Sequence, residues 1–228
     1  MRQNLIFDAD DTLWENNVLF ERAVEGYIDH VDHPALTRKQ VRAVLNDVER
    51  ENSALYGYGA RVFERSLTDA LARLRPDTPV GEDDRAVLRG LCAAILDSEV
   101  ELIAGAAETL RALGERHRLF LLTKGDPADQ RRKIDASGLA PLFAGVGIVR
   151  EKDASAYRDF TARHALDPDT TWMIGNSVRS DVRPALDAGL GAVLVPHPLT
   201  WALERADPPS GHPRFREVDP ITRLTAVF

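Results

Sequence analysis

Two aspartates stand directly after a short apolar run near the beginning of the chain. Residues 5–7 are Leu-Ile-Phe, and Asp8, Ala9 and Asp10 follow them. Side chains two positions apart on an extended segment point to the same side, so Asp8 and Asp10 are expected to face one site. Neighbouring carboxylates repel each other and need a cation or a proton between them. One carboxylate can then act as a nucleophile and the other as a general acid or base.

Polar side chains also follow the later apolar runs of the chain. Runs at 119–122, 146–149 and 171–174 are typical of buried strands, and the groups that follow them are Thr123, Lys124, Lys152, Asn176 and Asp181. Each of these positions alone is also common in ordinary turns, helix caps and surfaces. Together, at the carboxyl ends of parallel strands, they suit a hard divalent cation and phosphoryl transfer.

The elements that must position these side chains alternate between strand and helix patterns. Strands are predicted at 5–7, 119–122, 146–149, 171–174 and 192–195, and helices at 106–117, 127–137, 154–165 and 178–188. This alternation predicts an α/β fold, a Rossmann-like doubly wound parallel sheet with helices on both faces. Residues 1–13 and 104–228 form this predicted core. Residues 14–103 form a helical insert, in which Thr37 and Gln40 have the spacing of a capping box.

The composition is that of a globular protein and argues against several partners. Of 228 residues, 44% are hydrophobic and 29% charged, and 29 Lys and Arg against 36 Asp and Glu give a net charge of −7. This acidic balance argues against a nucleic-acid partner. The apolar runs are too short for a membrane helix or a signal peptide, so we expect no membrane partner and a cytoplasmic location. The one cysteine, Cys92, is expected to be buried.

The four polar motifs, taken in order, resemble those of the haloacid dehalogenase superfamily. The motifs are Asp8-Ala9-Asp10-Asp11-Thr12-Leu13, then Thr123, then Lys152, then Gly175-Asn176 through Asp181. The helical insert stands where that superfamily carries its first-type cap domain. The resemblance implies that Asp8 attacks phosphorus to give an aspartyl-phosphate, and that Asp10 protonates the leaving alcohol and then activates water. It also implies that Thr123 and Lys152 hold phosphate oxygens.

The same resemblance implies Mg²⁺ as the cofactor. The ion would be held by Asp8, the backbone carbonyl of Asp10 and the fourth motif, where many members carry an acid at the position of Asn176. A neutral amide attracts the ion less strongly than a carboxylate does. The affinity for Mg²⁺ should therefore be lower unless Asp181 compensates. We expect the Asn176 side-chain oxygen to be a direct ligand, and Asp181 to act directly or through water.

The resemblance therefore predicts a Mg²⁺-dependent phosphatase that hydrolyses a small phosphorylated metabolite. We expect the protein to be a monomer or a homodimer. Substrate choice should come from the insert, because such a domain can close over the strand ends and exclude water. The predicted substrate-binding residues are Asn16, Tyr58, Arg61, Thr123 and Lys124.

Other activities use the same fold or the same groups. A phosphomutase or another phosphotransferase would need the same catalytic residues and would differ in keeping water out. A 2-haloacid dehalogenase resembles the chain less, because it has no use for the second acid, Asp10. A non-enzymatic receiver-like module also accepts a phosphoryl group on an aspartate. In a receiver module, however, the accepting aspartate follows a strand in the middle of the sequence, and the module carries no long insert.

Overall fold

A parallel sheet of six strands forms the centre of the larger part of the chain. The computed structural model describes residues 2–228, and its strands are β1 (Asn4–Phe7), β2 (Arg118–Lys124), β3 (Gly145–Val149), β4 (Thr171–Gly175), β5 (Gly191–Leu194) and β6 (Phe215–Glu217). Their order in the sheet is β3-β2-β1-β4-β5-β6, and every neighbouring pair is parallel. This confirms the predicted Rossmann-like sheet and places the end of β1 between β2 and β4.

The helices fall into two groups along the chain. Four follow β1 directly, namely α1 (Asn17–Val31), α2 (Arg38–Tyr56), α3 (Ala60–Leu74) and α4 (Glu82–Leu96). The later helices are α5 (Ala106–Gly114), α6 (Pro127–Ala136), α7 (Ala154–Arg163), α8 (Arg183–Asp187) and α9 (Leu224–Val227). Within residues 2–228, no helix combines the length and the apolar character that crossing a bilayer requires.

The chain divides into two compact units. The larger unit contains the residues up to Asn17 and those from Val100 onward, and the smaller unit is Val18–Glu99. The sequence-based boundaries, after residue 13 and before residue 104, differ from these by a few residues at each crossing. The difference arises because the segments on both sides of the insert are hydrogen-bonded within the larger unit.

Apolar side chains cover both faces of the sheet, because successive residues of a strand point to opposite faces. On one face, Leu5 and Phe7 of β1 share a buried cluster with Leu110 of α5. On the other face, Ile6 of β1 shares a buried cluster with Phe160 of α7. The short β1 is therefore buried on both faces, and only its carboxyl end is left for polar groups.

The smaller unit has an apolar core of its own. Its four helices each contribute buried side chains to this core, among them Tyr27, Leu45, Leu67 and Leu88. The predicted capping box is present at the start of α2, where the Thr37 side chain accepts from the Gln40 backbone N–H and the Gln40 side chain accepts from the Thr37 backbone N–H. Cys92 lies in this core and is 2% exposed, which confirms its predicted burial.

The segment that leaves the larger unit is hydrogen-bonded to the segment that returns to it. The Glu15 backbone N–H donates to Glu101 O at 2.8 Å, and the Ile103 backbone N–H donates to Leu13 O at 2.9 Å. An antiparallel bridge lies between these two hydrogen bonds. The insert is therefore attached through one short antiparallel pair, which belongs to the larger unit.

The segment after β4 differs from the continuous helix predicted for 178–188. Val178–Val182 forms a turn of π-helix, and α8 begins only at Arg183. The Val182 backbone N–H donates to Ser177 O, five residues back, and Pro184 has no N–H with which to continue a regular ladder. The sequence pattern also does not predict β6, because a strand of three residues at the edge is too short to show a periodic pattern.

The close packing at the start of β5 gives a test of this core. A Cβ on Gly191 would lie 2.4 Å from ring atoms of the buried Trp172. Gly191→Ala should therefore lower the free energy of unfolding by about 1–3 kcal/mol. Gly114→Ala is the matched control, because its Cβ would meet Leu119 at an ordinary 3.6 Å and alanine favours a helix by roughly 0.5–1 kcal/mol. Urea unfolding measures both variants, and equal midpoints would contradict the prediction.

Candidate active site

Asp8 lies directly beyond the carboxyl end of β1, in the middle of the sheet. Its backbone N–H donates to Ile174 O of β4 at 2.9 Å, which fixes its position beside that strand. The residue is buried. Its Oδ2 accepts a hydrogen bond from Thr12 Oγ1 at 3.1 Å, and its Oδ1 accepts one from Lys152 Nζ. The motif after β1 and the residue after β3 therefore meet at this point.

Lys152 is shared between two buried carboxylates. Its Nζ donates to Asp8 Oδ1 and, at 2.8 Å, to Asp181 Oδ1. Burial by itself lowers the pKa of Lys152, but the two carboxylates raise it above its usual value, so the ammonium stays charged. Burial raises the pKa of Asp8 to about 7, because Lys152 offsets only part of this penalty and Asp181 adds to it. Two carboxylates thus share one cation, which leaves negative charge at this end of the sheet.

Asp181 is held against the end of β4. It is 1% exposed, and its Oδ2 accepts the Ser177 backbone N–H at 2.9 Å. Gly175 allows this close approach, since a Cβ at that position would lie 2.3 Å from Asp181 Oδ2. The π-helical turn therefore positions Asp181 to bind the Lys152 ammonium, which also binds Asp8.

Asp10 faces a different set of donors. Its Oδ1 accepts from Trp14 Nε1 at 2.7 Å, its Oδ2 accepts from Gln130 Nε2 at 2.8 Å, and Lys133 Nζ lies 2.7 Å from both oxygens. Burial by itself raises the pKa of Asp10, but Lys133 and these hydrogen bonds lower it below its usual value. The pKa values of the two acids in one motif are therefore shifted in opposite directions.

Sequence reasoning missed the residues that surround Asp10. Gln130 and Lys133 are three positions apart on α6, so they share one face of that helix. Because α6 begins just after β2, this face is expected near the strand ends. That position is the sequence feature that could have identified Gln130 and Lys133 as site residues. Thr123 Oγ1 also donates to Gln130 Oε1 at 3.3 Å. Gln130 therefore connects the predicted phosphate-binding hydroxyl to Asp10.

Lys124 ends β2, but its ammonium lies among polar groups of the protein. Its Nζ donates to Glu204 Oε1 at 2.6 Å and to Ser180 Oγ at 2.8 Å. These contacts favour a supporting role, and substrate binding by Lys124 stays a prediction. Tyr58 and Arg61 belong to the smaller unit. Their proposed part in substrate binding also stays a prediction.

Asn176 and Asn16 both lie beside the two acids. Asn176 Oδ1 accepts from Thr12 Oγ1 at 3.5 Å, and the same hydroxyl is hydrogen-bonded to Asp8. Asn16 Oδ1 accepts from Lys133 Nζ at 3.1 Å. Both predicted residues thus lie in the larger unit at the same end of the sheet. Asn176 lies on the side of Asp8, and Asn16 lies on the side of Asp10.

The side-chain oxygens of Asp8, Asp181 and Asn176 form a donor set that fits a hard divalent cation. Carboxylate and amide oxygens are the ligands that Mg²⁺ prefers. The charge balance also fits, because Lys152 is one cation between two carboxylates and the pKa of Asp8 is raised to about 7. An added cation would favour the ionised form of Asp8.

A second cluster consists of Asp11, Glu15 and His197, whose ligand atoms lie within 4.8 Å of one another. Its atoms already have partners within the protein. Asp11 Oδ1 accepts the backbone N–H groups of Asn16 and Asn17 at 2.9 Å each, and His197 Nε2 lies 3.2 Å from Glu15 Oε2. These contacts connect the segment after β5 to the segment after β1. Two carboxylates and one imidazole also meet here, so this cluster is a second group of possible metal ligands among the described residues.

Comparisons with known proteins identify the family of this chain. A profile of the haloacid dehalogenase-like hydrolases matches residues 3–189. A phosphoserine phosphatase from Thermus thermophilus is 28% identical over 228 residues, covering 78% of this chain and 88% of that protein. A haloacid dehalogenase-like family hydrolase from Xanthomonas campestris superposes with a TM-score of 0.83 at 29% identity, covering 99% of this chain and 94% of the other.

Solved structures at lower identity share the fold. The hydrolase YfnB from Bacillus subtilis, solved with bound magnesium, has a TM-score of 0.70 at 18% identity and covers 100% of this chain and 99% of its own. Several 2-haloacid dehalogenases match as well, at 15–18% identity. Since the family profile spans most of the sequence, the chain belongs to the haloacid dehalogenase-like hydrolases. It is an enzyme of that α/β class.

Lys133 gives a test of the charges around Asp10. Removing one partner of a fully buried ion pair costs about 3–5 kcal/mol. The Asp10 side chain keeps 22% exposure, so Lys133→Met should lower the free energy of unfolding by about 2 kcal/mol. Asp10→Asn added to Lys133→Met removes the unpaired charge and should recover part of this loss. Urea unfolding of the single and double variants measures the difference. A double variant less stable than Lys133→Met would argue against a charge effect.

Proposed function

We propose that this hydrolase is a Mg²⁺-dependent phosphatase that cleaves a small phosphomonoester through an aspartyl-phosphate on Asp8. The observation that carries the proposal is the second acid, Asp10, whose carboxylate is held by Trp14, Gln130 and Lys133. A hydrolytic dehalogenase needs a nucleophile but no acid for a leaving alcohol. A site that fixes a second carboxylate with three donors is suited to a leaving group that must take up a proton.

The proposed reaction has two half-reactions. In the first, an Asp8 oxygen attacks phosphorus, the bond from phosphorus to the ester oxygen breaks, and Asp10 gives its proton to that oxygen. In the second, Asp10 takes a proton from water, the water oxygen attacks phosphorus, and the bond to Asp8 breaks to release phosphate. Lys133 favours the ionised Asp10 that the second half-reaction needs. The approach of an anionic phosphate favours the protonated form that the first one needs.

Lys152 and Thr123 are suited to hold the phosphoryl oxygens. The Lys152 ammonium is buried and already aligned by Asp8 and Asp181, so little reorganisation is needed when an anion binds. The Thr123 hydroxyl is 1% exposed and lies at the end of β2, where it is oriented by Gln130.

Mg²⁺ is the proposed cofactor, held by Asp8, Asp181, Asn176 and the backbone carbonyl of Asp10. When bound, the ion would neutralise charge that develops on the phosphoryl oxygens. The support is the donor set itself, together with the sharing of the one Lys152 ammonium by the two buried carboxylates Asp8 and Asp181. A related fold, that of YfnB, was solved with bound magnesium.

The proposed substrate is a small phosphorylated metabolite. A curated relative is a phosphoserine phosphatase, and one structural neighbour is a predicted phosphoglycolate phosphatase from Haemophilus somnus. Asn16 is proposed to contact the leaving group, and the support for this is its hydrogen bond with Lys133 beside Asp10. Tyr58 and Arg61 are proposed to contribute from the smaller unit.

Release of phosphate from a panel of phosphomonoesters, with Mg²⁺ and then with EDTA, tests the proposal. We expect Mg²⁺-dependent hydrolysis by the wild type, and a phosphoryl group trapped on Asp8 after rapid quench. Asp8→Asn should abolish both, because an amide is a poor nucleophile. Asp10→Asn should slow turnover by about 10²–10⁴-fold.

Asp167→Asn is the matched control for these changes. Asp167 caps a turn before β4 by accepting the Asp169 backbone N–H at 3.0 Å, and asparagine caps such a turn comparably well. This variant should keep wild-type turnover. Absence of Mg²⁺-dependent phosphate release from the whole panel, or phosphoryl label on another residue, would contradict the proposal.

Asn176 gives a second test, directed at the metal position. Asn176→Asp adds a negative charge without changing size and should lower the Mg²⁺ concentration for half-maximal activity by roughly tenfold, since repulsion from Asp8 and Asp181 offsets much of the added attraction. Asn176→Ala removes an oxygen ligand and should raise that concentration. A metal titration of activity compares the three proteins. Superimposable curves would show that Asn176 is not a ligand.

A further inference from the structure

A carboxylate from the segment after β5 lies largely shielded from water beside the fourth motif. Glu204 ends a short turn of 3₁₀-helix, Ala202–Glu204, and its side chain is 12% exposed. Its Oε1 accepts from Lys124 Nζ at 2.6 Å, and its Oε2 accepts from Ser177 Oγ at 2.6 Å and Ser180 Oγ at 2.5 Å. Of these four side chains, Lys124 has a predicted role in substrate binding, and Ser177 and Ser180 lie within the fourth motif. The sequence pattern predicts no role for Glu204.

The charge on Glu204 is maintained by these contacts. Burial by itself raises the pKa of Glu204, but Lys124 and the two serine hydroxyls lower it below its usual value. A buried carboxylate with three short hydrogen bonds is held in a single orientation, since each donor fixes one direction. The charged Glu204 carboxylate therefore holds the Lys124 ammonium and the two serine hydroxyls in fixed positions.

On one side, Glu204 reaches Asp181 through Ser177. The Ser177 hydroxyl donates to Glu204, and the Ser177 backbone N–H donates to Asp181 Oδ2 at 2.9 Å. Ser177 Oγ also accepts the Ser180 backbone N–H at 2.9 Å, which closes the first turn of the π-helix. The carboxylate that shares Lys152 with the nucleophile is thus positioned by a turn that Glu204 holds at two hydroxyls.

On the other side, Glu204 reaches the end of β2 through Lys124. Lys124 follows Thr123 directly, and its Nζ also donates to Ser180 Oγ at 2.8 Å and to Glu151 Oε1 at 3.2 Å. Glu151 Oε1 in turn accepts the Lys152 backbone N–H at 3.1 Å. The Lys124 ammonium therefore connects the second, third and fourth motifs from the side of Glu204.

We propose that Glu204 is a positioning residue, which acts through Ser177 and Ser180 to fix Asp181 and through Lys124 to fix the end of β2. In this arrangement Lys124 supports the site and does not bind substrate. The inference rests on the proposed function for its effect on the reaction, but the effect on Asp181 is a property of the fold and can be measured without turnover.

Three variants separate the contacts of Glu204. Glu204→Ala removes all contacts of the side chain, whereas Glu204→Gln keeps an oxygen that can accept from both hydroxyls and loses the charge facing Lys124. Lys124→Met removes the ammonium while keeping much of its length. Arg214→Ala is the matched control, because Arg214 binds backbone carbonyls that precede β4, at the amino ends of the strands, including Pro168 O and Asp169 O at 2.9 and 3.0 Å. It should lower stability without altering the site.

The first measurement uses the metal-free protein. Hydrogen exchange of the segment 175–182 should be faster in Glu204→Ala than in the wild type, and near the wild-type rate in Glu204→Gln.

The second measurement is calorimetric titration with Mg²⁺ alone. Loss of a group that orients a ligand typically weakens metal binding by about 10–100-fold, which is the range expected for Glu204→Ala. Arg214→Ala should leave both measurements unchanged even though its melting temperature falls.

Turnover of a hydrolysed phosphomonoester supplies the third measurement. Lys124→Met and Glu204→Gln should each lower kcat more than they raise KM, and the double variant should lose less than the product of the two single losses, because both interrupt one contact. Direct substrate binding by Lys124 would instead raise KM in Lys124→Met alone, with losses that multiply in the double variant, and would overturn the proposed role of Lys124.

The outcomes also distinguish the role of Glu204 from the proposed phosphatase function. A wild type that releases no phosphate from the panel would overturn the phosphatase function. Hydrogen exchange of residues 175–182 and the Mg²⁺ affinity of the variants would still show whether Glu204 positions Asp181. If Glu204→Ala matches the wild type in both of those measurements, or if Arg214→Ala changes them equally, Glu204 does not position Asp181 and the inference is wrong.

Discussion

The site depends on one ammonium that two buried carboxylates must share. Lys152 touches Asp8 and Asp181, and both acids lie where water is largely excluded. Ionised groups are costly to bury unless they are paired, so this cluster can form only if all three side chains are brought together accurately. The sheet order satisfies that requirement. It puts β1 beside β4, and the end of β3 one strand further away on the other side of β2.

Asp8 and Asp10 are two residues apart and yet occupy different electrostatic environments. Asp8 shares the Lys152 ammonium with Asp181, and its pKa is raised. Asp10 has Lys133 close to both of its oxygens, and its pKa is lowered. Pairs of titratable groups whose pKa values are shifted apart are a recurrent means of dividing chemical roles. Here the division follows from the direction each side chain takes as it leaves β1, towards β3 and β4 for Asp8 and towards α6 for Asp10.

The strands and their polar ends were predictable because each buried strand is an apolar run with a chemically distinctive residue after it. Thr123 and Lys152 are examples. The partners of these residues were harder to predict, because they come from segments with no such pattern. Lys133 lies on a helix whose sequence is mostly polar, and Glu204 follows a loop without periodicity. The π-helical turn was also hidden, since a turn at Val178–Val182 has the same spacing of apolar residues as a regular helix.

The antiparallel pair formed by Glu15 with Glu101 and by Leu13 with Ile103 has a consequence for how the polypeptide can assemble and diversify. A sheet in which β1 pairs with β2 must bring together strands that are far apart in the sequence, and the entropy of closing such a loop opposes folding. Because the insert begins and ends at one hydrogen-bonded pair, an insert whose packed helices hold its two ends together lowers the entropy cost of pairing β1 with β2. Exchange of the insert for another of different length would then leave the closure cost of the sheet almost unchanged. The hydrolase core can therefore be kept while the inserted segment is replaced, by recombination or by design.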